Sequence, residues 1–317
     1  PMITYRIDAT DVHGHRYRVT LTIPAPAAEQ RLSLPVWIPG SYLVREFARH
    51  LADLSAHRGR LEVPLVQLDK ATWLARTAEG DGALTVSYCV YAFDTSVRAA
   101  FLDANRGFFN GTSLMLRVEG REDRPHGIEL VALPEGWRVA TALAPVQVDA
   151  AGRGTYRAAD YDELVDHPVE LGRFWRGAFT AAGVPHEFVV AGALPDFDGD
   201  RLLADTARIC EAQIAFWHGA GAGAAKPPFG RYLFMLNAVE DGHGGLEHRA
   251  STALIAARRD LPRREVGVAT GTEKAEPSEG YVNTLGLVSH EYFHAWNVKR
   301  LRPREFERYD YTRENYT

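Results

Sequence analysis

The sequence predicts an α+β protein: an all-β N-terminal part, a sandwich or saddle-like sheet, followed by a part in which helices join the strands. Two observations carry this prediction. Through the first half, short runs alternate apolar and polar residues and are separated by Gly, Pro and Asp clusters. Beyond residue 199 the apolar spacing changes from two to three and four, the period of a helix with one buried face. No repeat of fixed period runs through the chain, so a solenoid is not indicated.

The first strand with a clear pattern is RYRVTLTIP (16–24), with Tyr17, Val19, Leu21 and Ile23 on one side. ALTVSYCVYAF (83–93) repeats it with Leu84, Val86, Tyr88 and Val90. SLMLRVEG (113–120), GIELVALP (127–134) and WRVATAL (137–143) read as further strands. The character shifts around YDELVDHPVELG (161–172), which places the domain boundary at 165, with one domain over 1–165 and the next over 166–317. HEFVVAG (186–192) is a strand, and PDFDGD after it offers Asp and Gly for a helix start. From Asp200 to His218, Leu203, Ala207, Cys210, Ile214 and Trp217 recur at helical spacing. GAGAGAAKPPFG (219–230) is a connector, and RYLFMLNAV (231–239) is a strand apolar on both faces. A second irregular stretch, 271–280, leads to a helix on which Leu285, Val288, Tyr292 and Trp296 face a core. After Pro303 the mixed charges read as solvated surface.

Composition narrows the function classes. The 317 residues are 46% hydrophobic and 24% charged, the balance of a globular protein with enough chain for two cores. A net charge of -5 supplies no basic footprint for nucleic acid or anionic lipid. Two cysteines, Cys89 and Cys210, sit in apolar patterns and read as lone buried thiols. The N-terminus PMITYRID has no secretory pattern, and no run is long and apolar enough to span a membrane. A cytoplasmic protein is the expectation.

The chemistry concentrates in LVSHEYFHAWNVKRLRP (287–303). His290 and His294 are four apart, and four helical positions return to about forty degrees past the start. Both imidazoles therefore leave one face, one turn apart, as two ligands of a single metal ion do. Zinc takes neutral imidazole nitrogens and carboxylates, and in an HExxH helix the Glu, here Glu291, is placed to take a proton from the attacking water. A second stretch, EDGHGGLEHRAS (240–251), sets Gly244 and Gly245 before Glu247. Glycine lets a ligand approach the backbone, and a carboxylate beside a cleft could hold a free α-amino group. On spacing alone the same residues read as a plain glycine turn. His243 and His248, five apart on no clear element, make a poor second metal pair.

SHEYFHAWNVKRLRP, the upstream GGLEH, and VWIPGSYLVREFARH (36–50) together resemble the glycyl aminopeptidase family of bacterial zinc metallopeptidases, gluzincins related to aminopeptidase N. YDELVDHPVELG and FWRGAF extend the likeness over nearly the whole chain. The resemblance implies a β-rich N-terminal domain, a thermolysin-like catalytic domain and, usually, a following PDZ domain. It implies His290 and His294 as zinc ligands, Glu291 as general base, and Glu247 as the amine-recognising glutamate of the GxMEN motif, with Leu246 in place of Met and His248 in place of Asn. The implied activity is removal of Gly or Ala from peptides with a free N-terminus, with no nucleic acid or membrane partner.

The family draws its third zinc ligand from a Glu in a later helix, within a W-x-x-E-G-type motif, and no such motif is present. An eighteen-residue gap after His294 lands on Arg313, and Glu305, Glu307 and Glu314 lack the right context. The expectation is therefore an incomplete thermolysin-like domain whose third ligand and oxyanion tyrosine lie past Thr317. Such a chain is expected to be inactive, to hold zinc weakly or not at all, and to be prone to self-association. The rival readings are a zinc endopeptidase, in which Glu247 is structural, and a non-catalytic binding module built on the β domain.

Overall fold

The structure is a computed structural model that describes residues 1–77, 82–221, 223–264 and 276–314. Of the irregular stretch 271–280, residues 271–275 lie outside the described residues. Backbone contacts divide the chain into two compact units, Pro1–Arg173 with Arg304–Thr317, and Phe174–Pro303.

In the first unit the alternating runs become one eight-stranded sheet. Ile3–Asp11 lies between Arg16–Ile23, to which it is antiparallel, and His126–Ala132, to which it is parallel. Arg16–Ile23 continues onto Leu84–Tyr91, and Tyr17, Val19, Leu21, Ile23, Leu84, Val86, Tyr88 and Val90 are all buried, as their spacing predicts. Two four-stranded sheets complete the unit. One of them includes Val169–Gly172, paired with Arg106–Phe109 and Arg138–Thr141, and this pairing carries the first unit to Arg173.

The run 113–120 is not the strand its pattern suggested. Gly111–Leu114 is a short helix, and only Arg117–Val118 pairs as strand. The reason is where the backbone carbonyls go. Tyr88 donates its hydroxyl to Leu114 O at 2.6 Å, Tyr161 to Met115 O at 2.7 Å, and Tyr5 to Leu116 O at 2.6 Å. Buried tyrosines take the acceptors a sheet neighbour would have used.

The segment after Pro303 is likewise not mere solvated surface. Tyr311 is 3% exposed and donates to Asp162 Oδ1 at 2.9 Å, while Trp37 donates its indole N–H to Asp310 O at 2.8 Å. Aromatic residues scattered among charges docked there, outweighing the average polarity of the segment.

The second unit is a five-stranded sheet in the order Trp175–Ala181, Val184–Ala191, Tyr232–Val239, Ser251–Ala257, His243–Glu247. The three middle strands run parallel and the two outer ones antiparallel. Tyr232–Val239 is buried on both faces, as a central strand must be. The long helix Gly199–His218 starts where Asp198 accepts from the Arg201 N–H, the capping that PDFDGD foretold. Glu279–Phe293, the site helix, starts with Ser278 accepting from the Tyr281 N–H. Its Tyr281, Leu287, Val288 and Tyr292 join the unit's core with Phe188, Phe234 and Ile214. Both cysteines are buried thiols. Among the described residues no helix is long and apolar enough to cross a membrane.

Candidate metal centre

The site helix ends at Phe293, one residue short of the full HExxH run, and Trp296 lies in the turns beyond it. His294 nevertheless keeps helical backbone, φ -66 and ψ -15. The two imidazoles therefore share a face, with their Nε2 atoms 3.1 Å apart. His294 Nδ1 lies 2.6 Å from Asn297 O. A carbonyl only accepts, so the proton sits on Nδ1 and the Nε2 lone pair is directed at the site.

The stretch that spacing alone read as a glycine turn is a strand. His243–Glu247 pairs antiparallel with Ser251–Ala257, with Gly245 opposite Leu254 and Glu247 opposite Thr252. It is the edge of the five-stranded sheet. Strand residues two apart share a face, so Gly245 and Glu247 lie on one side and Gly244 on the other. A Cβ on Gly245 would stand 2.5 Å from Glu291 Oε1 and 2.6 Å from its Cγ and Cδ. On Gly244 it would meet nothing within 4 Å. The first glycine leaves the outer face open, and the second makes room for the Glu291 carboxylate.

Glu247, Glu291 and His294 each offer a ligand atom, and these atoms all lie within 4.8 Å of one another. The carboxyl residues are 7% and 5% exposed. Among the described residues, neither His243 nor His248 joins this cluster. Two carboxylates drawn together out of water repel, and the cost is offset when a cation shares the site. The carboxylates and the His294 Nε2 lone pair converge as acceptors. Two imidazole nitrogens on a tetrahedral zinc ion, each at about 2.0–2.1 Å, lie about 3.3 Å apart. The 3.1 Å between His290 and His294 fits that geometry.

The residues around the motif hold it in place. Gln213, on the long helix, donates to Ser289 O at 2.7 Å and Ser289 Oγ at 2.8 Å. Tyr292 donates its hydroxyl to His186 Nε2 at 2.8 Å, because His186 Nδ1 is committed to Val184 O. Burial pushes the Tyr292 hydroxyl and the Cys210 thiol up and the His186 imidazole down, so all three stay neutral. Trp296 donates to His218 Nε2 at 2.8 Å. Arg300 donates to Ala295 O, Arg249 O and Pro228 O, which anchors the turns that follow His294. Sequence reasoning missed His186, Gln213 and His218 as supports, since nothing in their spacing ties them to residues far along the chain. The WNVKR run did carry a signal: a Trp and an Arg directly after a metal-type pair are large groups that must find partners.

The Peptidase M61 N-terminal domain family matches residues 4–173. The M61 glycyl aminopeptidase family matches residues 283–317. No curated protein sequence matches the chain. Among solved structures, an aminopeptidase N family protein from Idiomarina loihiensis matches at TM-score 0.90 and 42% identity, over 100% of this chain and 51% of that one. The chain thus spans about half the length of that relative. Aminopeptidase A of Legionella pneumophila matches at TM-score 0.53 and 12% identity, over 96% of this chain and 35% of that one, a likeness of fold alone. The match to the M61 N-terminal domain covers more than half of the residues, and the chain belongs to the M61 peptidase family.

Proposed function

We propose that the centre on the site helix hydrolyses peptides at a free N-terminus and releases small residues such as Gly and Ala. The observation that carries this reading is the convergence of Glu247, Glu291 and His294, with His290 Nε2 beside the last, under a strand at a sheet edge. The description of the family as glycyl aminopeptidases supports the preference for small residues. His290 and His294 would hold a zinc ion, whose contribution is Lewis acidity at the scissile carbonyl.

Glu291, pressed against Gly245 and held on the helix between the two imidazoles' turns, accepts a proton from the attacking water and returns it to the leaving amine. Glu247 pairs with the substrate's ammonium group. Because it sits on the edge strand beside Glu291, it fixes the scissile bond one residue from the chain end. Gly244 points to the opposite face of the strand from Gly245 and Glu247, and on this reading it takes no part in holding substrate. On this reading the catalytic centre belongs to the unit Phe174–Pro303, and the protein works on cytoplasmic peptides.

The test compares glycyl anilides with N-acylated peptides in the Glu247→Ala and Glu291→Gln proteins. Glu291→Gln is expected to lower turnover on both roughly a hundred- to ten-thousandfold. Glu247→Ala is expected to cost roughly thirty- to hundredfold in kcat/KM on free amines only, the equivalent of about 2–3 kcal/mol for a charged hydrogen bond. Equal losses on both substrate types with Glu247→Ala would make the enzyme an endopeptidase in which that residue is structural.

A further inference from the structure

The run VWIPGSYLVREFARH has no part in the chemistry above, yet it builds a cavity of ≈ 610 Å³ in the first unit. That volume is in the range of small-molecule sites, about 300–1,000 Å³. Arg45, Arg49 and His50 line it from this run; Tyr91, Phe93 and Asp94 line it from a second, and Ser113 from a third. Tyr42 and Glu46 both take left-handed conformations, φ 54 and φ 53, which cost residues with a Cβ, with Tyr42 stacked on Trp37 and Glu46 paired with Lys70.

The charges in the cavity are not balanced. The Arg45 guanidinium is half-buried, and among the described residues it donates only to Ser41 Oγ and pairs with no carboxylate. Burial and the neighbouring Arg98 work against its charge, and Asp94 offsets them only in part. Arg49 is exposed and donates to His50 Nε2, so that ring nitrogen is an acceptor. Burial and Arg49 both push the His50 imidazole down. Arg45 and Arg49 line the cavity against the single carboxylate of Asp94, with Arg98 close enough to act on Arg45, so the surroundings are net positive. Ser113 is 4% exposed and its Oγ has no hydrogen-bond partner among the described residues, although a buried hydroxyl ordinarily finds one. Tyr91 and Phe93 are 45% and 52% exposed at the same cavity, apolar surface that water leaves unsatisfied.

We infer that this cavity is a second ligand site, which takes a monocarboxylate with an aromatic or apolar body, its carboxylate on Arg45 and Arg49 and its body against Tyr91 and Phe93. An anionic head answers the net positive charge, and the planar guanidinium fork suits a carboxylate. The chemistry is shared by free small acids and by peptide C-termini.

The test is calorimetric titration of the protein with N-acetyl-L-phenylalanine, its uncharged amide, an N-acetylated tripeptide ending in Phe, and inorganic phosphate. EDTA is present throughout, so the readout does not depend on the metal centre in the other unit. The acid is expected to bind, the amide at least tenfold more weakly. Arg45→Gln and Arg49→Gln are each expected to weaken the acid by roughly tenfold or more, the usual worth of a charge-assisted hydrogen bond. Tighter binding of the tripeptide would identify a peptide C-terminus as the source, and equal binding a small acid. Arg49 is exposed, so its variant reports on binding even if Arg45→Gln does not fold. The inference is overturned if acid and amide bind alike, if a folded Arg49→Gln protein binds the acid unchanged, or if only phosphate binds.

Discussion

Replacing Gly245 by alanine puts one methyl group where the Glu291 side chain lies. The added carbon would stand 2.5 Å from Oε1 and 2.6 Å from Cγ and Cδ. Carbon atoms pack at about 3.5 Å or more, so the carboxylate or the strand must retreat by roughly 1 Å. Both sides resist. Glu291 projects from a helix whose neighbouring Tyr292 is locked in the core, and the strand is paired along its length with Ser251–Ala257. Overpacking of this kind costs about 1–3 kcal/mol. A displacement of roughly 1 Å in a general base is worth about a hundredfold in rate. Gly244→Ala is the matched control, because its methyl meets nothing within 4 Å and its φ is not in the left-handed region. That variant is expected to be neutral or stabilised by about 0.4–1 kcal/mol through the unfolded chain. Denaturant unfolding and glycyl anilide hydrolysis on the two proteins measure both effects. If the two alanines behave alike in stability and rate, Glu291 does not occupy the space assigned to it.

Two further outcomes follow from the packing. Arg106 donates twice to Glu170, at 2.7 and 2.9 Å, with both side chains largely out of water, so Arg106→Met should leave a buried carboxylate uncompensated and cost about 3–5 kcal/mol in unfolding measurements. His186 and His126 are held below the ordinary imidazole range, chiefly by burial. The unfolded chain therefore binds protons before the folded one does. Stability should be flat above about pH 6.5 and fall as pH drops below it, and His186→Phe should flatten that fall in a thermal-melt series.

Much of this architecture was legible in the sequence because it rests on local periodicity. Tyr17, Val19, Leu21 and Ile23 announce a strand with one buried face, and Cys210 and Ile214 announce a helix, whatever the rest of the chain does. The pair His290 and His294 was legible for the same reason, since four-residue spacing decides which face they share. What escaped depends on partners distant in sequence. Leu114, Met115 and Leu116 lost their strand to the hydroxyls of Tyr88, Tyr161 and Tyr5. Tyr311 left its polar surroundings for Asp162. Gly244 and Gly245 look alike in sequence. Only the position of the site helix shows that one clears space for Glu291 and the other faces nothing.

The central claim is that His290 and His294 direct their Nε2 lone pairs at one cation beside Glu247 and Glu291. Zinc-edge anomalous diffraction from crystals of the protein soaked in excess zinc tests it most directly. The account expects one dominant peak within about 2.0–2.1 Å of both Nε2 atoms, absent from His290→Ala and His294→Ala crystals of the same fold. A peak that leaves these imidazoles unliganded, or that survives in either alanine variant, would contradict it.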